Sequence, residues 1–229
     1  MDTKAEILKI IAIDGPAGVG KSTLALSLAL NLNWICLDTG AIYRALALVI
    51  LEKDLLKVTP LQAGQLAQNL DLEFRRVGQA IRLYLAGRDP GDALRTLPVS
   101  RLASQLSAWP EVRSALLPLQ RSFGQKGELV TEGRDMGTVV FPTAGLKIFL
   151  TADLLVRAQR RLNQFLENGQ PANLDEVRED LAARDHSDES RSLAPLRPSQ
   201  DAFLLDVAQM TAAEVLDLCL KKAKAVFAL

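Results

Sequence analysis

Histidine is nearly missing from this chain: His186 is the only one among 229 residues. Cysteine is scarce as well, with Cys36 and Cys219 alone. So few ligand-type side chains exclude a Cys/His metal spacing and a disulfide framework, and both cysteines read as small buried hydrophobes. Net charge is absent too, because 27 Lys and Arg balance 27 Asp and Glu. A balanced chain does not embrace a nucleic-acid polymer or an anionic membrane with its whole surface, so any functional positive charge has to be local. Long apolar runs are lacking: a stretch such as 45–51 is far too short to span a bilayer. The opening MDTKAE has no basic-then-apolar layout of a signal peptide, and a cytoplasmic protein is expected. There are no internal repeats or low-complexity segments.

What is present suffices for a large core. Hydrophobic residues make up 48% and charged residues 24%, which suits one sizeable α/β domain or a core domain with insertions. The most informative stretch is IIAIDGPAGVGKSTLAL at 10–26. It reads as a strand, a glycine-rich loop and a helix start, and residues 15–22 match the phosphate-binding pattern G-x-x-x-x-G-K-[ST] in full. Glycine lets the backbone turn tightly and aim successive N–H groups at anionic oxygens, and the helix adds its N-terminal N–H groups and dipole. In such a loop the lysine, Lys21, reaches the β/γ-phosphates, and the hydroxyl of Ser22 is placed for Mg²⁺.

The rest of the chain alternates between short apolar runs and helical patterns. Strands are expected at 7–13, 34–37, 128–131, 146–150 and 202–205. Helices are expected at 21–31, 41–52, 99–108, 111–123, 154–168 and 175–185, with another opening at the capping box Thr211/Glu214. Thr59-Pro60 with Gln62 opens one more. Residues 71–76 and 80–85 around Val77-Gly78-Gln79 read as a hairpin that interrupts the alternation, an inserted subdomain rather than core sheet. Five strands alternating with helices predict an α/β fold, an open parallel five-stranded sheet with helices on both faces, of the P-loop NTPase type. Polar motifs then gather at the carboxyl ends of the strands: Asp14-Gly15, Asp38-Thr39 and Gly133-Arg134-Asp135. Arg44 lies in the first turn of a helix, where the dipole disfavours it. Arg157, Arg160 and Arg161 share a helix face by spacing, which by itself describes an ordinary solvated basic face.

The phosphate loop alone leaves several chemistries open. No N-K-x-D string reads guanine, and no L-S-G-G-Q-like signature marks a transporter ATPase. Arginines at several strand ends suit phosphoryl transfer between two anions, because forked guanidinium groups and Mg²⁺ offset their repulsion. An acceptor that is already an ionised phosphate has no proton to remove, so the single histidine does not argue against an enzyme. A kinase of another small acceptor and a module that binds nucleotide without transfer both stay open at this point.

The strings GPAGVGKST, LDTGAIYRALAL, TEGRDMGTVVFP, LKIFLTAD, R-x-x-R-R, RDHSDESR and APL closely resemble the bacterial cytidylate kinases, a branch of the nucleoside monophosphate kinases. The resemblance runs from about residue 10 into the last helix. It implies ATP-dependent phosphorylation of CMP and dCMP with Mg²⁺, in one chain expected to be a monomer. It implies a core at 7–58, 126–153 and 201–229, a nucleoside-monophosphate-binding insert at 59–125 and a lid at 154–200. ATP would be held by Gly15, Pro16, Ala17, Gly18, Val19, Gly20, Lys21, Ser22 and Thr23, with Arg157 and Arg161 over it from the lid. Arg44, Arg134 and Arg191 match positions that grip the acceptor's phosphate. Thr39, Ser104, Arg113 and Asp135 match positions that read cytosine, and Arg184 and Asp188 positions near the ribose and lid. Lys21, Arg134, Arg184 and Arg191 would carry the catalysis. One departure is plain: the turn Gly87-Arg88-Asp89-Pro90 stands where the family commonly has G-E-D-V.

Overall fold

The computed structural model describes residues 8–55, 57–77, 80–125, 127–167 and 169–229. Its organising strand, β1 (Ile10–Asp14), is buried along its whole length. The side chains alternate between two cores. Ile11 and Ile13 face α1 (Lys21–Leu32) and α8 (Ala212–Phe227), whereas Ile10 and Ala12 meet Leu37, Leu129, Met136 and Phe141. A strand apolar on both faces needs cover on both, and that is the condition of a parallel sheet. The anticipated start of this strand at Ile7 lies outside the described residues.

Five parallel strands form, in the order β2-β5-β1-β6-β7. Here β2 is Ile35–Asp38, β5 Leu129–Glu132, β6 Leu146–Thr151 and β7 Phe203–Asp206. The loops after β1, β2, β5 and β6 therefore emerge side by side at one edge of the sheet. The hairpin consists of β3 (Leu72–Val77) and β4 (Ala80–Leu85), and its turn, Gly78-Gln79, lies outside the described residues. It does not stand wholly apart from the sheet: a single parallel pair, Cys36 with Ala80, joins β4 to β2 and extends the sheet to seven strands. That contact covers part of an edge whose backbone groups would otherwise be unpaired.

Helices α2 (Thr39–Glu52), α3 (Pro60–Gln68), α4 (Leu97–Leu106) and α5 (Pro110–Ser122) share a third core built on Ile42, Leu46, Ile50, Val99, Leu106 and Leu116. The capping boxes at Thr59/Gln62 and Thr211/Glu214 form as their spelling suggests. A small fourth cluster matters most for the site. Ala158 of α6 (Leu154–Glu167) and Val177 and Leu181 of α7 (Leu174–Glu189) close around Ala17 of the phosphate loop. Among the described residues, no helix is long and apolar enough to cross a membrane.

Candidate active site

The loop between β1 and α1 has the backbone its glycines allow. Gly20 stands at the N-cap of α1 with φ 102°, and no side chain caps the helix or places an acid in its first turn. The N-terminus of α1 thus keeps its positive end toward the loop. Lys21 is buried, and its ammonium donates to the carbonyls of Gly15 at 2.8 Å and Pro16 at 2.7 Å. Burial, and then the positive charges of Arg134 and Arg184, pull its pKa down to about 7 against the opposing pull of Glu132 and Asp188.

Beside the loop lie carboxylates from the ends of β1, β2 and β5. The Ser22 hydroxyl donates to Glu132 Oε1 at 2.8 Å, and the Thr39 hydroxyl to the Glu132 carbonyl at 2.8 Å. Burial, and then the charge of Asp38, raise the Glu132 carboxyl above its ordinary range. Asp38 caps α2 by accepting the Ala41 N–H at 3.1 Å and pairs with Arg44 at 2.6 Å. This answers the dipole problem of Arg44: the capping carboxylate sits between the arginine and the helix end. Asp14 accepts the backbone N–H groups of Met136 and Gly137, each at 2.8 Å.

The remaining arginines converge on two aspartates. Asp188 of α7 pairs with Arg134, whose Nε donates at 2.7 Å, and with Arg191. Arg191 also donates to the Ser107 hydroxyl at 2.8 Å. Arg113 pairs with Asp135 and donates to the Ser107 carbonyl at 3.2 Å. Asp188 is 1% exposed and Asp135 4%, so both carboxylates interact without water between them and their partners. Burial opposes ionisation of Asp188, but Arg134 and Arg191 hold its pKa below the usual range. At Asp135 burial wins over Arg113 and Arg191, and the pKa rises. Arg184 is brought down to about 10 by burial and then by Arg134. The Nε atoms of Arg44, Arg184 and Arg191 are buried without a hydrogen-bond partner. A cleft of about 300 Å³ between α4 and α7 is lined by Ser100, Arg101, Ser104, Gln105, Asp180 and Arg184, among others.

The three arginines of α6 do not act together. Arg157 is buried, donates to the carbonyls of Ala152 and Ala17 at 2.9 Å each, and pairs with Asp185 at 2.6 Å. Arg160 donates to the Val207 carbonyl at 2.7 Å, and Arg161 lies over the Phe165 ring. A shared helix face fixes where side chains start. Long, flexible stems let each guanidinium end on a different carbonyl or ring.

A family model described as Cytidylate kinase matches residues 11–225. The chain belongs to the cytidylate kinase family. It is 46% identical to the cytidylate kinase of Bordetella bronchiseptica over 202 residues, covering 88% of this chain and 89% of that one. It is 44% identical to the cytidylate kinase of Dichelobacter nodosus over 210 residues, covering 91% and 93%. Among solved structures, a gluconokinase from Sinorhizobium meliloti superposes with a TM-score of 0.52 at 12% identity, covering 98% of this chain and 96% of that one. That likeness concerns the fold.

In this kinase several site residues escape a reading by motif. Asp14 and Asp38 are placed at strand ends by the sequence pattern but given no role by it, and Glu132, which ends β5 in the same way, is passed over for the Gly133-Arg134-Asp135 string beside it. Asp185, though inside the string RDHSDESR, and Ser107 have no role legible in the sequence, because each takes partners from other elements: Arg157 and the Ala17 N–H for Asp185, Arg191 and Arg113 for Ser107. Ser22 and Glu132 offer hard oxygen donors of the kind Mg²⁺ takes. Among the described residues, no group of three or more His, Cys, Asp or Glu side chains could cage a metal. A donor set this sparse fits an ion shared with substrate phosphates rather than one held by protein alone.

Proposed function

We propose that this kinase transfers the γ-phosphoryl group of ATP directly to a phosphate oxygen of CMP, giving CDP and ADP, with dCMP as a second acceptor. The observation that carries the reading is the juxtaposition of two halves at one sheet edge. The phosphate loop with Lys21 stands on one side, and the aspartate-linked arginines Arg134, Arg191 and Arg113 on the other. Loop N–H groups from Gly15 to Thr23 and Lys21 would hold the donor phosphates. Mg²⁺, with Ser22 and Glu132 to hold it, would supply positive charge to the β- and γ-phosphates.

On the acceptor side Arg44, Arg134 and Arg191 would bind the CMP phosphate, with Arg184 near the ribose and lid, and the partnerless Nε atoms of Arg44, Arg184 and Arg191 support this. The attacking oxygen is already ionised, so no general base is required; positioning and charge stabilisation supply the catalysis. Asp135, with Arg113, Thr39 and Ser104, would read the base. A carboxylate accepts from the N4 amino group of cytosine, whereas uracil presents a carbonyl there and leaves the carboxylate opposed. Asp188 would orient Arg134 and Arg191 near the ribose. Segments 59–125 and 154–200 would move over the core 7–58, 126–153 and 201–229, the first hinged on the cluster it shares with α2 and the second on the cluster it shares with Ala17. Arg157 and Arg161 would border the ATP side of the lid. A monomer is proposed as the working unit.

A panel of AMP, CMP, dCMP, UMP, GMP and dTMP with Mg-ATP tests the proposal. CMP and dCMP should lead in kcat/KM. Faster turnover of any other acceptor overturns the cytidylate reading, and tight ATP binding with no product from any acceptor would leave a binding module.

A further inference from the structure

Two residues at the end of β1 hold the loop that follows β5. The Ile13 carbonyl accepts the Gly133 N–H at 3.0 Å, and the Asp14 carboxylate accepts the Met136 and Gly137 N–H groups. Arg134 and Asp135 are the two residues between these anchors. Met136–Val140 is a single π-helical turn, in which the Phe141 N–H returns to the Met136 carbonyl at 2.7 Å. Its own N-cap residue, Asp135, makes no capping bond with its side chain. Asp14 does that work from 122 residues away in sequence. A Cβ on Gly137 would lie 3.4 Å from Asp14 Oδ2 and 3.2 Å from the Lys147 stem, so the grip is closely packed.

We propose that Asp14 is a positioning residue: a distant cap on the π-turn that fixes Arg134 and Asp135 relative to the phosphate loop, which begins at the next residue. Each half of the site is thereby registered to the same strand end. The proposal rests on the reading of Arg134 and Asp135 as acceptor-binding groups. Both carboxylate oxygens are in use. An amide offers one acceptor and turns a donor toward the second N–H, leaving it buried and opposed. The phosphate loop keeps its other supports, so the loss falls on the acceptor half.

The test compares Asp14→Asn, Asp14→Glu and Asp135→Asn with the parent kinase, reading KM for CMP, KM for ATP, the CMP/UMP ratio and thermal stability. Asp14→Asn should raise KM for CMP about tenfold and erode the CMP/UMP ratio, with KM for ATP changed no more than about twofold. Asp14→Glu, which keeps both acceptors, should recover part of the CMP affinity. Parallel changes in both KM values, or lost stability with unchanged substrate constants, overturn the proposal. If Asp135→Asn leaves the CMP/UMP ratio intact, the acceptor reading fails and the Asp14 proposal falls with it. If Asp135→Asn changes that ratio and Asp14→Asn does not, only the Asp14 proposal falls.

A measurement on the parent protein avoids any folding failure of the variants. Burial lifts the Asp14 carboxyl to about 6, with the Met136 and Gly137 N–H groups and Lys21 opposing and Asp135 assisting. Across Gly137 lies the Lys147 stem, whose ammonium is paired with Asp201. The capping anion is therefore lost as the pH falls through about 6. CMP affinity by calorimetry should weaken over that interval more steeply than ATP affinity, and more steeply in the parent than in Asp14→Asn, because the CMP phosphate also takes up a proton at about pH 6 with either protein. Equal slopes for the two nucleotides count against Asp14.

Discussion

Gly15 and Gly20 carry the same residue type for different reasons, and their substitutions separate those reasons. A Cβ on Gly15 would be driven into the Leu150 carbonyl on β6, and its φ of 146° lies in the range that favours glycine. Gly20 also has positive φ, 102°, but a Cβ there would meet nothing within 4 Å. Gly20→Ala therefore incurs backbone strain alone, about 1 kcal/mol. Gly15→Ala adds an overlap with backbone that neither β1 nor β6 can relieve without moving the sheet, and should cost about 3 kcal/mol or more. Urea unfolding of the two variants checks the order, and equal losses would mean that the contact with β6 is not tight. Both should also weaken ATP binding, because each displaces the loop amides, so the stability difference is the informative quantity.

At the scale of elements, α7 shows where the sequence stops being readable. The apolar pattern predicts a helix over 175–185 and a polar loop beyond, but the helix continues to Glu189. Residues 186–189 lack apolar faces because their support is ionic: Asp188 is held by Arg134 and Arg191, and Asp185 by Arg157 and the Ala17 N–H. Buried charges break the hydrophobic code, and their partners come from other elements. The π-turn was unreadable for a similar reason, since its cap comes from Asp14. By contrast the phosphate loop and both capping boxes are local signals and form where the sequence puts them; β1 forms too, but over Ile10–Asp14, with Leu8 and Lys9 left outside the strand expected at 7–13. The Arg157–Asp185 pair also makes a prediction. Asp185→Ala should cost about 3 kcal/mol, because it strands a buried guanidinium against the loop. Adding Arg157→Met should recover part of that loss by removing the stranded charge. A double-mutant cycle on unfolding free energies measures it, and strictly additive losses would show the two residues to be uncoupled.

On the scale of the whole molecule, a formal charge of zero goes with charges of both signs crowded into the site. The site gathers Lys21, Arg44, Arg113, Arg134, Arg184 and Arg191 at one edge of the sheet. Four of the carboxylates among them, Asp38, Glu132, Asp135 and Asp188, are held by its own arginines or hydroxyls. With no net charge to steer substrates from afar, attraction of two polyanions depends on this local field. A local field in a cleft open to solvent is screened once the Debye length falls below the approach distance, from about 10 Å at 0.1 M salt to about 3 Å at 1 M. The ion pairs already buried in the site are screened far less. Raising KCl from about 0.05 to about 0.5 M should therefore raise KM for CMP and for ATP several-fold and leave kcat nearly unchanged, because substrate capture is screened and the closed site is not. Thermal stability should move little over the same range. Matched titrations with sodium acetate separate screening from a chloride ion competing for the phosphate sites. Flat KM values in both salts would mean that the arginines satisfy one another rather than facing the substrates, and would remove the electrostatic basis of the two-nucleotide reading.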